Sequence, residues 1–66
     1  MHITINGAPT EIPEDLPMTD LIARLNLTGR RLAVEVNQEL VPRGQFDGHR
    51  LRPGDRVEII HAVGGG

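Results

Sequence analysis

Arg56-Val57-Glu58-Ile59-Ile60-His61-Ala62-Val63-Gly64-Gly65-Gly66 is the stretch that decides the fold. Its side chains alternate, with Val57, Ile59 and His61 on one face of a strand and Glu58, Ile60 and Ala62 on the other. The strand runs directly into three glycines. Those glycines have no side chain to pack and lose more backbone entropy on ordering than any other residue, so their one chemical asset is the α-carboxylate of Gly66. A carboxylate on a tether without Cβ atoms can thread a narrow partner cleft. From His61 to Gly66 that tether reaches about 16 Å when extended. Such an end, taken alone, is more often a frayed terminus, and the residues before it have to discriminate.

Working back along the chain, Arg52-Pro53-Gly54-Asp55 places proline and glycine at the two central positions of a type II turn. Before it, Phe46 and Leu51 pin an irregular or one-turn segment after Pro42-Arg43-Gly44-Gln45. Leu32-Ala33-Val34-Glu35-Val36-Asn37 alternates, burying Leu32, Val34 and Val36, and Asn37-Gln38 turns into a short strand near 39–41. Met18, Leu21, Ile22 and Leu25 recur at i, i+3, i+4 and i+7, the apolar stripe of a helix over 18–25, with Pro17 tolerated at its start. Asn26-Leu27-Thr28-Gly29 closes that helix, with Leu27 folding back onto the core and Gly29 available for positive φ. At the front, His2-Ile3-Thr4-Ile5-Asn6 alternates and Asn6-Gly7 predicts a type I′ hairpin. The return strand, about 10–12, lies between Pro9 and Pro13 and belongs at a sheet edge.

The predicted order is hairpin, helix, strand pair, irregular turn, strand. One helix covers one face of a sheet, which defines an α+β two-layer domain. Full burial of Val57 and Ile59 requires the last strand to sit centrally beside the first. The expectation is a ubiquitin-like β-grasp: a mixed four- to five-stranded sheet with one helix on one face, a domain over 1–63 and a flexible glycine tail over 64–66.

Sixty-six residues leave no room for a second core or an ordinary enclosed substrate pocket. An enzyme with its own active site is therefore not expected, and no residue is assigned a catalytic role. The absence of cysteine excludes a disulfide framework and fits a reducing compartment, so a cytoplasmic protein is expected. A net charge of −2, mixed along the chain, together with Phe46 as the single aromatic residue, argues against nucleic acid. No stretch is long and apolar enough to serve as a membrane span. His2, His49 and His61 match no metal-ligand spacing, and Glu14-Asp15 reads as a polar approach to the helix rather than a carboxylate pair. Asp55 reads as a turn residue.

The Asn6-Gly7 hairpin, the Arg24-Leu25 helix end, Val34-Glu35-Val36-Asn37, Val41-Pro42-Arg43, Gly54-Asp55, Val57-Glu58-Ile59-Ile60 and the Gly-Gly terminus together resemble the ThiS family of sulfur carriers in thiamine biosynthesis. The resemblance covers essentially the whole chain. The Gly-Gly end is common to ubiquitin-like carriers and modifiers, whereas the Val-Pro-Arg segment and the short length favour the thiamine family. Gly64, which makes the tail three glycines long, is compatible with that family.

The resemblance implies that an E1-like (ThiF-like) adenylyltransferase activates the Gly66 carboxylate. ATP and Mg would be used by that partner, and the chain itself would bind no cofactor. A sulfur donor system would then form a thiocarboxylate, and a ThiG-like thiazole synthase would accept the sulfur. The alternatives within the class are a carrier of the molybdopterin synthase small-subunit type and a ubiquitin-like modifier joined to lysines. From a different class, a passive β-grasp interaction module would have the same elements and an inert tail. Docking is expected on the sheet face opposite the helix, through Ile60, Ala62 and Val63, with Gly64 and Gly65 as tether and the free chain a monomer.

Overall fold

The short alternating segments of the chain form five strands and a helix. These are β1 (His2–Ile5), β2 (Ala8–Glu11), α1 (Met18–Arg24), β3 (Leu32–Val36), β4 (Glu39–Val41) and β5 (Arg56–His61), with a 3-10 helix over Arg43–Gly48 between β4 and β5. The computed structural model describes residues 1–61; Ala62, Val63, Gly64, Gly65 and Gly66, which include the tail and part of the expected docking approach, lie outside the described residues. The strands make one mixed sheet in the order β2-β1-β5-β3-β4. β5 is central, parallel to β1 and antiparallel to β3, as its two buried valine and isoleucine side chains require.

Both hairpins have two-residue loops. Ile5 pairs with Ala8 and Val36 with Glu39, which leaves Asn6-Gly7 and Asn37-Gln38 as the connections. All four loop residues have positive φ, the requirement of a type I′ turn. Gln38 adopts this conformation without being glycine, which the amide type of Asn37 signals only in part. β2 begins at Ala8 and takes Pro9 into the strand, earlier than the 10–12 expected. Because β2 is the sheet edge, the missing N–H of Pro9 removes no ladder bond.

α1 packs on one face of the sheet. Met18, Leu21 and Ile22 are buried against Ile3, Val34, Val36, Val57 and Ile59, and each such side chain contributes about 1.5–3 kcal/mol by leaving water. Pro17 is the residue before the first turn and donates nothing. The first helical amide, that of Met18, is satisfied by the His49 carbonyl at 2.8 Å. The helix ends one residue earlier than expected, at Arg24, and Asn26 at φ 60 terminates it. Asn26 N–H donates to Ala23 O and Leu27 N–H to Ile22 O, both at 3.0 Å, the paired bonds of a Schellman ending. Gly29 also has positive φ, but three residues further on it shapes the loop and does not close the helix.

Below the helix the 3-10 turn buries Phe46, and Leu51 closes the core beside it. Thr19 Oγ1 donates to Asp47 Oδ1 at 2.6 Å and ties the helix to this turn. The helix of the described residues is too short and too polar to cross a membrane.

Candidate functional site

β5 is the base from which the terminal residues leave, so the site begins with what holds β5. On one side it is paired with β3 along its length, from Val57 opposite Val36 to His61 opposite Leu32. On the other side the ladder is shorter, because the parallel register places Ile5 opposite Val57 and the chain then turns away at Asn6. The side chain of Asn6 continues the ladder. Its backbone N–H donates to Val57 O at 2.8 Å, its Oδ1 accepts from Ile59 N at 2.8 Å, and its Nδ2 donates to Ile59 O at 3.4 Å. One amide thus imitates the next residue of β1, and β5 is held on both edges as far as Ile59.

The sequence marks Asn6 only as a turn residue. Its clamp on a strand 53 positions away follows from the register, which no local pattern encodes. Replacing Asn6 with Ala leaves the half-buried Ile59 amide without a partner and puts a less tolerant residue at φ 50. The expected loss is about 1–3 kcal/mol in urea unfolding. Asn6→Asp retains the accepting oxygen and is expected to lose less. Hydrogen exchange at the Ile59 amide, faster in Asn6→Ala than at Val34, reports whether the loss is centred on this clamp.

The opposite end of β5 is fastened by a buried carboxylate. Asp55 is buried, with Oδ1 accepting from Asn37 Nδ2 at 3.0 Å and Oδ2 from Arg52 N at 2.8 Å. Asn37 Oδ1 in turn accepts from Arg56 N at 3.0 Å. Asp55 was expected as a turn residue, and it is one, since its N–H donates to Arg52 O at 3.1 Å. Its carboxylate in addition joins that turn to the β3–β4 hairpin.

Among the described residues, no element covers the sheet face away from α1. Ile60 lies there, 53% exposed, as the alternation of β5 predicts, and its register partner on β3 is Ala33. Leu40 is 64% exposed on the same face, opposite Glu35. The sequence did not single out Leu40, because in Glu39-Leu40-Val41 only pairing to β3 decides which of two adjacent apolar residues turns inward. Of the expected docking residues, Ile60 is therefore in place; Ala62 and Val63, with Gly64, Gly65 and Gly66, are not described.

The three histidines do not converge. His2 Nδ1 is 3.1 Å from Glu11 Oε1, His49 belongs to the segment after the 3-10 turn, and His61 ends β5. No group of three or more metal-ligating side chains occurs among the described residues. A concavity of about 570 Å³, lined by Met1, Asp15, His49, Arg50 and Arg52 among others, lies toward the start of β5 rather than its exit. Arg43 Nη2 donates to Arg30 O at 2.6 Å near the exit end and holds the loop before β3 against the 3-10 turn.

Comparison with known proteins bears on this geometry. Residues 3–66 match a family model described as the ThiS family. A crystal structure of the thiamine biosynthesis protein ThiS from Geobacter metallireducens superposes with a TM-score of 0.87 at 35% identity, covering 100% of both chains. The sulfur carrier protein ThiS of Bacillus subtilis is 31% identical over 65 residues, which is 97% of this chain and 98% of that one. A thiazole synthase of Paramagnetospirillum magneticum is 32% identical over 66 residues; all of this chain is matched, but it spans only 20% of that protein.

Proposed function

Because the chain belongs to the ThiS family of sulfur carriers in thiamine biosynthesis, we propose that it acts through the carboxylate of Gly66. A carboxylate is a poor electrophile, so an E1-like adenylyltransferase first joins it to AMP. A carboxylate oxygen attacks the α-phosphorus of ATP, pyrophosphate leaves, and the Mg ion that supports this step is the enzyme's. A persulfide sulfur then attacks the acyl carbon and AMP leaves. A thiol cleaves the S–S bond, and the thiocarboxylate remains on Gly66. A thiazole synthase takes up that sulfur, after which the carboxylate is regenerated for another round. The chain is a recycled co-substrate in the cytoplasm, and the ATP chemistry belongs to its partner.

The observation that carries this reading is the mechanical one. The strand nearest the carboxyl terminus is the centre of the sheet, clamped on one edge by β3 and on the other by β1 and the Asn6 amide. A group presented for chemistry elsewhere needs a rigid base and a narrow approach, and the sequence has five residues after His61, three of them glycine, which carries no Cβ. The experiment is intact mass of the purified chain after incubation with the E1-like enzyme, ATP and a persulfide donor. The expected product is heavier by the replacement of one oxygen by sulfur. An unchanged mass under those conditions, with an enzyme active on its own carrier, refutes the proposal.

Docking of the activating enzyme is assigned to the open face through Ile60, with Ala62 and Val63 following it along the chain. Ile60→Ser removes apolar contact without adding charge. It is expected to weaken binding by about 1–2 kcal/mol while the unfolding midpoint moves little, because Ile60 is already more than half exposed. Titration calorimetry of wild type and variant measures this directly, and equal affinities would remove Ile60 from the interface.

A further inference from the structure

The open face carries two glutamates directly opposite one another. Glu35 on β3 and Glu58 on β5 are register partners, and both project away from the core because Val34, Val36, Val57 and Ile59 on either side of them are buried. Like charges in this arrangement oppose strand pairing. The ion pairs among the described residues, Met1 with Glu11 and His2 with Glu11, involve neither glutamate. Arg56 is two residues before Glu58 on the same side of β5 and forms no ion pair with it. The acid pair is bordered by apolar groups. Leu40 continues its row on β4, and Ile60 with Ala33 forms the next row toward the exit of the chain.

With Arg56 not paired to either glutamate, this acid pair beside exposed isoleucine and leucine keeps an excess of negative charge that a covering surface can balance. Charge complementarity then specifies the occupant. We propose that this face docks on a protein surface presenting an arginine or lysine between the two glutamates, flanked by apolar side chains, and that this surface belongs to the adenylylating enzyme. The inference rests on the activation reading above and adds the chemistry of the contact. A second copy of this chain is the wrong occupant. Two-fold self-docking through the same patch brings four carboxylates together against two Arg56 guanidinium groups, which leaves an excess of negative charge at the contact. The contact strengthens encounter as well as affinity, so its signature is salt dependence.

The test measures binding of the full chain to the purified E1-like enzyme by calorimetry at about 0.05 M and about 0.5 M salt. The wild type is compared with Glu35→Gln/Glu58→Gln. A control, Glu14→Gln/Asp20→Asn, removes the same charge from the loop and helix side. The glutamate variant is expected to bind about five- to tenfold more weakly at low salt and to lose most of the salt dependence, while the control behaves as wild type. The same glutamate variant is expected to melt about 1–4 °C higher than wild type, since repulsion is relieved. Lower affinity in a more stable protein separates an interface role from a structural one. The proposal is overturned by wild-type affinity in the glutamate variant, by equal weakening in the control, or by a wild-type dimer in sedimentation that the glutamate changes alter. An enzyme that adenylylates the wild type but ignores the glutamate changes overturns this docking face alone. A wild-type chain that is neither bound nor adenylylated overturns the activation reading and this inference with it.

Discussion

Removal of Gly65 and Gly66 is expected to abolish thiocarboxylate formation while leaving the thermal midpoint within about 1 °C of the full chain. In the proposed mechanism the reacting group is the Gly66 carboxylate, and truncation moves it to Gly64, about 7 Å short of its former reach along an extended chain. An acyl transfer requires the reacting atoms to approach to about 3–3.5 Å, so a deficit of this size exceeds what small adjustments of the docked domain can restore. The fold loses nothing comparable, because glycine has no side chain to bury. Intact mass after incubation with enzyme, ATP and sulfur donor reads the first effect, and a thermal melt reads the second. Gly66→Ala refines the result: it keeps the length but adds a methyl group beside the carboxylate, and reduced activation there identifies a narrow channel in the enzyme. Thiocarboxylate formation by the truncated chain at the wild-type rate would show that the chemistry is elsewhere.

The largest loss of stability is expected at Asp55. Asp55→Ala removes a buried carboxylate that accepts from Asn37 Nδ2 and Arg52 N, and leaves both donors without their partner. Hydrogen bonds to a charged acceptor are among the stronger ones, so the expected destabilisation is about 2–4 kcal/mol. A 66-residue domain has a total stability of about 3–10 kcal/mol. The variant is therefore expected to be substantially unfolded near 37 °C or to melt far below wild type. Asp55→Asn retains one accepting oxygen and lies between the two. Urea unfolding of the three proteins orders them wild type, Asn, Ala. Equal stability of wild type and Ala would mean that water replaces the carboxylate at no cost.

Asp55 and Asn6 fasten opposite ends of one strand. At its start, Asp55 joins the Arg52–Asp55 turn to the Asn37-Gln38 hairpin; toward its end, Asn6 extends the β1 ladder to Ile59. Between them β5 is a stiff rod about 20 Å long at the rise of an extended strand. Rigidity of this element gives the residues that follow it in sequence a defined origin. The thiazole synthase relatives contain a region like this whole chain within a longer polypeptide.

Local chemistry made most of the elements legible. Alternation identified β1, β3 and β5, the i, i+3, i+4 stripe of Met18, Leu21 and Ile22 identified α1, and Asn6-Gly7 and Pro53-Gly54 marked their turns. The family was legible as well, because its motifs are contiguous segments. Boundaries were less so: Pro9 stands inside β2 because an edge strand tolerates a missing donor, and Asn26 ends α1 because its backbone reaches positive φ before Gly29.

What the sequence by itself determined is the set of elements and their inward faces, since each follows from side-chain period or turn conformation within a few residues. Tertiary structure alone decided the rest. The Asn6 clamp joins residues 53 apart, the Asn37–Asp55 bond residues 18 apart, and the opposition of Glu35 and Glu58 exists only in the register of β3 against β5. These are pairings between segments whose separate patterns permit several registers. One register is selected because a shift of a single residue would turn Val34, Val36, Val57 and Ile59 out of the core.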